Sequence, residues 1–245
     1  QPKLLDFNFN GWGNKFESAL DNKINLALSD NLFKALPIVS KNFILEGGSI
    51  ESDGRGILLT TTQCLLSTTR NSDMTQSQIE HFLKKELGLK KILWLNHGAL
   101  IGDDTDTHID TLARFCAVDT IAYVTCKDSQ DVHYQTLKRM EDELKEFKDL
   151  SGKKYKLVAL PMPDPCYDQK GNRLPATYAN FLLVNDGVLV PIYGVRQDQE
   201  ALDRIQNIFP KRKVVGVDCL PLIQQNGSLH CISMQYPSAV KIMLE

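Results

Sequence analysis

No stretch of the 245 residues approaches the ~20 consecutive apolar residues that a membrane helix needs, and the N-terminus lacks a charged segment followed by an apolar core. These two absences argue against a membrane-spanning helix and a secretory leader, and they predict a soluble, cytoplasmic protein. Basic runs are scarce as well. The longest is Lys211-Arg212-Lys213 in a chain of net charge −2, so a small molecule or a protein is the expected partner and nucleic acid is not. The six cysteines, at 64, 116, 126, 166, 219 and 231, show no C-x-x-C spacing. That spacing excludes a zinc ribbon, and cysteines this sparse do not make a disulfide scaffold, so most are expected to be reduced and buried. With 42% hydrophobic and 24% charged residues the chain is not of disordered composition, and it can bury a sizeable core.

What the chain does have is a recurring order of strand, strand, helix, strand. In the first complete cycle Asn42–Leu45 and Gly56–Thr61 read as strands around the turn Ser52–Gly56. A helix follows, with Thr75 as N-cap, Gln78 completing a capping box, Ile79, Phe82, Leu83 and Leu87 on one apolar face, and Gly88 as its stop. Lys91–Leu95 closes the unit. The second cycle runs from His108–Phe115 through Thr120–Val124 and a charged helix near 131–149, read as a solvent face, to Tyr155–Leu160. The third joins Phe181–Val184 to Val188–Val190 through Asn185-Asp186-Gly187, then a helix near 198–208 and the strand Val214–Val217. The modules fall at about 1–41 (partial), 42–101, 102–160, 176–218 and 226–245 (partial), within a single domain of class α/β.

Two segments carry reactive side chains. Asn226-Gly227-Ser228-Leu229-His230-Cys231 offers a thiol, and Asp103-Asp104-Thr105-Asp106-Thr107-His108-Ile109-Asp110 offers an imidazole flanked by carboxylates. A thiol and a base need only be neighbours in space to make a cysteine nucleophile, and the carboxylates suit a cationic substrate. Glu46, His108 and Cys231 fall in or beside the first strand of a cycle, and Tyr178-Ala179-Asn180 holds the equivalent place in the third. Cycles repeated about a common axis would bring these positions together.

Six segments in order then resemble the agmatine deiminases: Phe7–Gly13, Glu46–Glu51, Asp103–Asp110, Leu160–Pro163, Tyr178–Leu182 and Gly227–Cys231. These enzymes are a branch of the guanidino-modifying deiminases, grouped with the bacterial-type peptidylarginine deiminases and built as pseudo-fivefold β/α propellers of the pentein fold. The resemblance covers essentially the whole chain. It implies hydrolysis of agmatine to N-carbamoylputrescine and ammonia through a covalent thiouronium on cysteine, a step of putrescine and polyamine synthesis. It also implies no metal or organic cofactor, and a homodimer. By matching motif positions it makes Cys231 the nucleophile, His108 the general acid/base and Glu46 the carboxylate accompanying that histidine. It makes Asp110 the guanidinium-binding carboxylate, places Asp104 near the distal amine, and puts Gly227 at the substrate side of the turn before the nucleophile. The family's usual Gly-Gly in that turn is Asn226-Gly227 here, and asparagine tolerates positive φ. The family's Arg-Asp-x-Gly-Pro motif, whose aspartate is a second guanidinium carboxylate, does not occur, and the resemblance puts it upstream of Gln1.

Other readings stay open at this level. Another guanidino-modifying hydrolase, such as an arginine or peptidylarginine deiminase, shares the chemistry, and a catalytically silent propeller serving as a binding module shares the fold. The acidic run could be a solvated loop or a calcium site, although it lacks the spacing and closing glutamate of a calcium loop. His97 and His230 have weaker claims than His108, Trp12 and Trp94 read as core, and the five other cysteines keep a core or incidental reading.

Overall fold

The computed structural model describes residues 3–33, 36–238 and 240. Three mixed three-stranded sheets and one parallel pair make a mixed α/β fold. The parallel pair joins β1 (Leu4–Asn8) to β2 (Ile38–Ile44). The first complete module has β3 (Ile50–Ser52) antiparallel to β4 (Ile57–Thr61), and β4 parallel to β5 (Lys91–Leu95). The second repeats this with β6 (Ala113–Ala117), β7 (Thr120–Thr125) and β8 (Lys156–Pro161), and the third with β9 (Leu182–Val184), β10 (Gly187–Ile192) and β11 (Lys213–Asp218).

Local chemistry explains the elements. Asp53 Oδ1 accepts from the amides of Arg55 and Ile57 at 2.8 and 2.9 Å, and Gly54 and Gly56 take φ of 70° and 105°, which closes the β3–β4 turn. All five residues of β4 are buried, as a central strand covered on both faces requires. The crossover helix Gln76–Leu87 has both halves of its capping box, Thr75 with Gln78, and ends on the left-handed Gly88. The helix Tyr134–Glu146 presents Leu137, Met140 and Leu144 to the core and its charged residues to solvent. Asp198–Ile208 is the third crossover helix, with Ala201 and Ile205 buried. Among the described residues no helix is long and apolar enough to cross a membrane.

Three expectations shift. Asn42–Ile44 is the end of β2, paired with β1, so the first strand of the first complete module is Ile50–Ser52. Gly187 pairs with Val184 inside the hairpin, leaving Asn185-Asp186 as the two-residue turn. Residues 226–238 form turns and irregular structure rather than a strand, because Asn226 at φ 66° redirects the chain there.

The modules are tied at one end by short 3-10 turns preceding each first strand: Gly47–Ser49, Ile109–Thr111 and Tyr178–Asn180. The first turn packs on the second and the second on the third. Thr177 Oγ1 donates to the Thr111 carbonyl at 2.8 Å. Arg114 crosses two boundaries, donating to Glu51 Oε2 at 2.8 Å and to the Phe181 carbonyl at 2.7 Å, with its guanidinium 5.0 Å from the centre of the Phe181 ring.

Candidate active site

The site is built from the residues that flank those turns. Glu46 leads into the first turn and His108 into the second, each with extended backbone. Their side chains meet, with His108 Nε2 2.9 Å from Glu46 Oε2. The other ring nitrogen, Nδ1, faces the backbone of Gly48, where a Cβ would come within 2.5 Å of it and 3.1 Å of Asp110 Oδ2. Glycine at 48 therefore lets the imidazole and the carboxylate pack directly against the backbone. Asp110, 1% exposed, is held by His230 Nδ1 at 2.8 Å on Oδ2, while its Oδ1 is buried with no hydrogen-bond partner among the described residues. A buried carboxylate oxygen without a donor is costly.

Cys231 closes the group. Its Sγ lies 3.9 Å from Asp110 Oδ2 and takes a hydrogen bond from Asn180 Nδ2 at 3.4 Å. The residue is exposed, and it is the exposed member of six free cysteines. Asn180 is the organiser here: its Nδ2 also donates to the Asp110 carbonyl at 3.3 Å, and its Oδ1 accepts the His230 amide at 2.8 Å. Gly227 is adjacent, its Cβ position 3.4 Å from the Cys231 Cβ, and the positive φ of this turn belongs to Asn226. Asn226 Nδ2 donates to Asp104 Oδ2 at 3.2 Å, joining the acidic loop to the cysteine turn. All six expected residues thus lie in one connected region. Glu46 and His108 touch directly, Cys231 and Asp110 do so at longer range, and Asp104 and Gly227 border them.

The electrostatics follow from burial and partners. Desolvation alone would raise the Glu46 carboxyl, but the bonds from His108 and Arg70 outweigh it and hold Glu46 below its ordinary value. Burial opposes a charge on His108, yet the Cys64 thiol and the Glu46 carboxylate at its edge push the imidazole well above its usual value. Asp110 is likewise lowered despite its burial, by His230 and then His108. The Cys231 thiol is pushed up to about 12, first by the protein packed around the sulfur and then by Asp110. Burial and the neighbouring Asp103 raise Asp104 against the bond from Asn226.

Sequence reasoning missed Arg70, and Asn180 was visible only as a module-equivalent position. Cys64, read as core, is fully buried but stands beside the pair, its Sγ 3.7 Å from Glu46 Oε2. Donor atoms of Glu46, Cys64 and His108 all lie within 4.8 Å of one another, a set whose chemistry suits zinc. Arg70 Nε, however, bonds both Glu46 oxygens at 3.0 Å and sets a cation against that carboxylate. The acidic run is not arranged as a calcium loop. Asp103 accepts from Thr105 and Thr107, and Asp106 pairs with Lys15 and Arg70. Trp12 is half-buried between the edges of Phe9 and Phe16, Trp94 bonds Glu80, and His97 pairs with Glu143 outside this group.

Comparison with known proteins decides the family. The model of the Porphyromonas-type peptidyl-arginine deiminases matches residues 1–237. The chain belongs to this family. A protein of Marinomonas sp. (strain MWYL1) named "Putative agmatine deiminase" is 33% identical over 267 residues, covering 99% of this chain and 70% of that one. A solved agmatine deiminase of C. jejuni, its C315S form with substrate bound, is 46% identical with a TM-score of 0.88, over 94% of this chain and 66% of the other. An agmatine deiminase of Enterococcus faecalis, described as catalysing its reaction, is 31% identical with a TM-score of 0.87, over 95% and 69%. Membership makes this deiminase-family chain a hydrolase of the guanidino-modifying group.

Proposed function

We propose that the protein hydrolyses agmatine to N-carbamoylputrescine and ammonia, with Cys231 as nucleophile. The observation that carries this reading is the Asp110 carboxylate, whose Oδ2 lies 3.9 Å from the Cys231 thiol and borders Gly48 beside His108 Nδ1, while its Oδ1 is buried without a hydrogen-bond partner among the described residues. A guanidinium laid against Asp110 donates an N–H to that oxygen and brings its carbon toward the sulfur. A guanidinium carbon is a poor electrophile, so the site must fix its plane, supply a thiolate and protonate the departing nitrogen. Asp110 meets the first need.

The second need is met by the substrate itself. Asp110 disfavours charge on Cys231 in the empty site, and a bound cation reverses that field, so binding promotes ionisation of the thiol. The thiolate attacks the guanidinium carbon, forming a C–S bond. The C–N bond then breaks as the imidazolium of His108 gives its proton to the nitrogen, which leaves as ammonia. Neutral His108 next takes a proton from water, whose oxygen attacks the thiouronium carbon. Collapse expels the sulfur as the hydroxyl proton passes to it, replacing the proton the thiol released to solvent on ionisation and leaving the carbamoyl product, while Glu46 stabilises the imidazolium that His108 became on taking the proton from water.

Asp104, beside Asn226, suits the distal ammonium of agmatine, whereas the α-carboxylate of free arginine would meet repulsion there. The repeated modules and their stacked turns support an arrangement about a common axis, as in a five-module propeller, with 1–245 as one domain. Six unbridged cysteines support a reducing, cytoplasmic setting, and a role in polyamine synthesis follows from the product. Self-association as a homodimer completes the reading. The test is ammonia release from agmatine, arginine and a peptidyl-arginine by the wild type and Cys231→Ala. Agmatine turnover that Cys231→Ala abolishes supports the proposal; substantial activity in Cys231→Ala, or turnover of arginine alone, overturns it.

A further inference from the structure

The Glu46–His108 pair rests on a group outside the reacting atoms. The Arg70 side chain has no exposed surface, and each of its nitrogens is used. Nε bonds both oxygens of Glu46 at 3.0 Å, Nη1 donates to Asp106 Oδ2 at 2.7 Å, and Nη2 donates to the Thr105 carbonyl at 3.0 Å. One planar cation thereby joins the carboxylate that holds His108 to the loop that presents Asp104.

That loop needs holding. Asp106 and Thr107 adopt φ of 62° and 63°, left-handed backbone that costs a non-glycine residue about 1–3 kcal/mol and persists only where its surroundings over-determine it. The threonine is β-branched, the worse case. Asp103 accepts from the Thr107 amide at 2.6 Å, Thr61 Oγ1 donates to the Thr107 carbonyl at 2.8 Å, and Lys15 reaches Asp106 at 2.6 Å. Arg70 adds the inward anchors. Its own segment is pinned in turn: Asn71 bonds the amide and carbonyl of Ile44 at 3.0 and 2.9 Å, two residues before Glu46, and Asn10 Nδ2 donates to the Thr69 carbonyl at 2.8 Å. A Cβ at Gly13 would sit 2.4 Å from Thr69 Oγ1 and 3.3 Å from Arg70 Nη1, so neither segment has room to drift.

We propose that Arg70 is a positioning residue for the reaction, orienting Glu46 onto His108 Nε2 and holding the 103–107 loop so that Asp104 stays in register with the Cys231 turn. Lysine cannot substitute, because a single ammonium does not bond three acceptors set around a plane. Glu46, Cys64 from its helical turn and Asp110 from the following turn are the charged and titratable groups facing His108, with Arg70 behind Glu46. Removing Arg70 withdraws a cation from the neighbourhood of the imidazolium and leaves Glu46 to His108 and the Cys64 thiol. His108 then keeps its proton to higher pH.

The kinetic part rests on the proposed reaction, while the titration part does not. Wild type, Arg70→Met, Arg70→Lys and Asp106→Gly are compared by NMR titration of labelled histidines and by kcat and KM for agmatine. The His108 midpoint is expected to rise in Arg70→Met and to stay near wild type in Arg70→Lys. Both variants should lose about 100-fold in kcat, the scale of an ångström-sized misplacement, with KM changed far less. Asp106→Gly keeps the bonds to Glu46, so it should raise KM and leave the His108 midpoint in place. An unmoved midpoint in folded Arg70→Met, or wild-type kcat in Arg70→Lys, overturns the proposal. If Arg70→Met does not fold, wild-type kinetics in Asp106→Gly does so instead. Absence of turnover in the wild type sinks the proposed reaction, and the His108 titration still judges the role of Arg70.

Discussion

At the scale of single residues, two positions translate directly into experiment. Gly48 has no side chain where a Cβ would lie 2.5 Å from His108 Nδ1. Gly48→Ala is therefore expected to cost about 100-fold in kcat/KM through displacement of the imidazole, and wild-type kinetics would show that catalysis does not need the imidazole packed against Gly48. Cys231 is exposed, yet its thiol is pushed up to about 12. Alkylation of the empty site by iodoacetamide, corrected with Cys231→Ala, should thus be slow at neutral pH and still climbing well above it. A rate already level at pH 7 would rule out substrate-assisted ionisation. The thiol, His108 and Asp110 were legible as residue types in suggestive company. Arg70 was not, because an arginine between Thr69 and Asn71 carries no local pattern, and its importance comes from three partners distant in the chain.

At the scale of elements, local rules performed well where local chemistry decides. The helix Gln76–Leu87 starts and stops where Thr75, Gln78 and Gly88 predict, because capping satisfies backbone groups within one turn. Thr75→Ala should lower stability by about 1 kcal/mol and the midpoint of thermal unfolding by roughly 2–4 °C; no change would mean that the cap is redundant. The assignment of Asn42–Ile44 to the following module was not correctable from sequence. A short apolar run does not specify its partner, and only its parallel pairing with β1 places it in the preceding sheet. The same limit applies at Asn226–Cys231, where a left-handed asparagine makes a turn of a run that reads as the start of another cycle.

At the scale of the whole molecule, buried charge ties the modules and sets the response to pH. Arg114 links Glu51 in one module to the Phe181 carbonyl in another, so Arg114→Met leaves a half-buried carboxylate without its ion-pair partner and should cost about 1.5–3 kcal/mol in denaturant unfolding. A loss under 1 kcal/mol would show the boundary to be held by apolar packing alone. Glu46 and Asp110 are held below their ordinary values of 4.5 and 3.8, so their contribution to stability is present above those values and lost as pH falls through the lower folded ones. His108 has the opposite sign. Its contribution is complete below 6.5 and lost as pH rises through its raised folded value. Unfolding free energy should accordingly fall on both sides of a central plateau, and Glu46→Gln should flatten the acid side. An acid limb equally steep in that variant would place the effect elsewhere.

The amino-acid sequence by itself determined the module order, the three crossover helices, the reactive residues and the class of chemistry, because hydrophobic period, capping and side-chain type are properties of neighbours along the chain. Only the tertiary structure decided which oxygen of Asp110 is left without a donor, which nitrogen of His108 faces Gly48, and that Arg70, Asn180 and Cys64 surround the site. Those facts depend on side chains from separate modules meeting where most of them are buried. There an unmade hydrogen bond is costly, so each partner is specified by its three-dimensional surroundings rather than by its place in the chain.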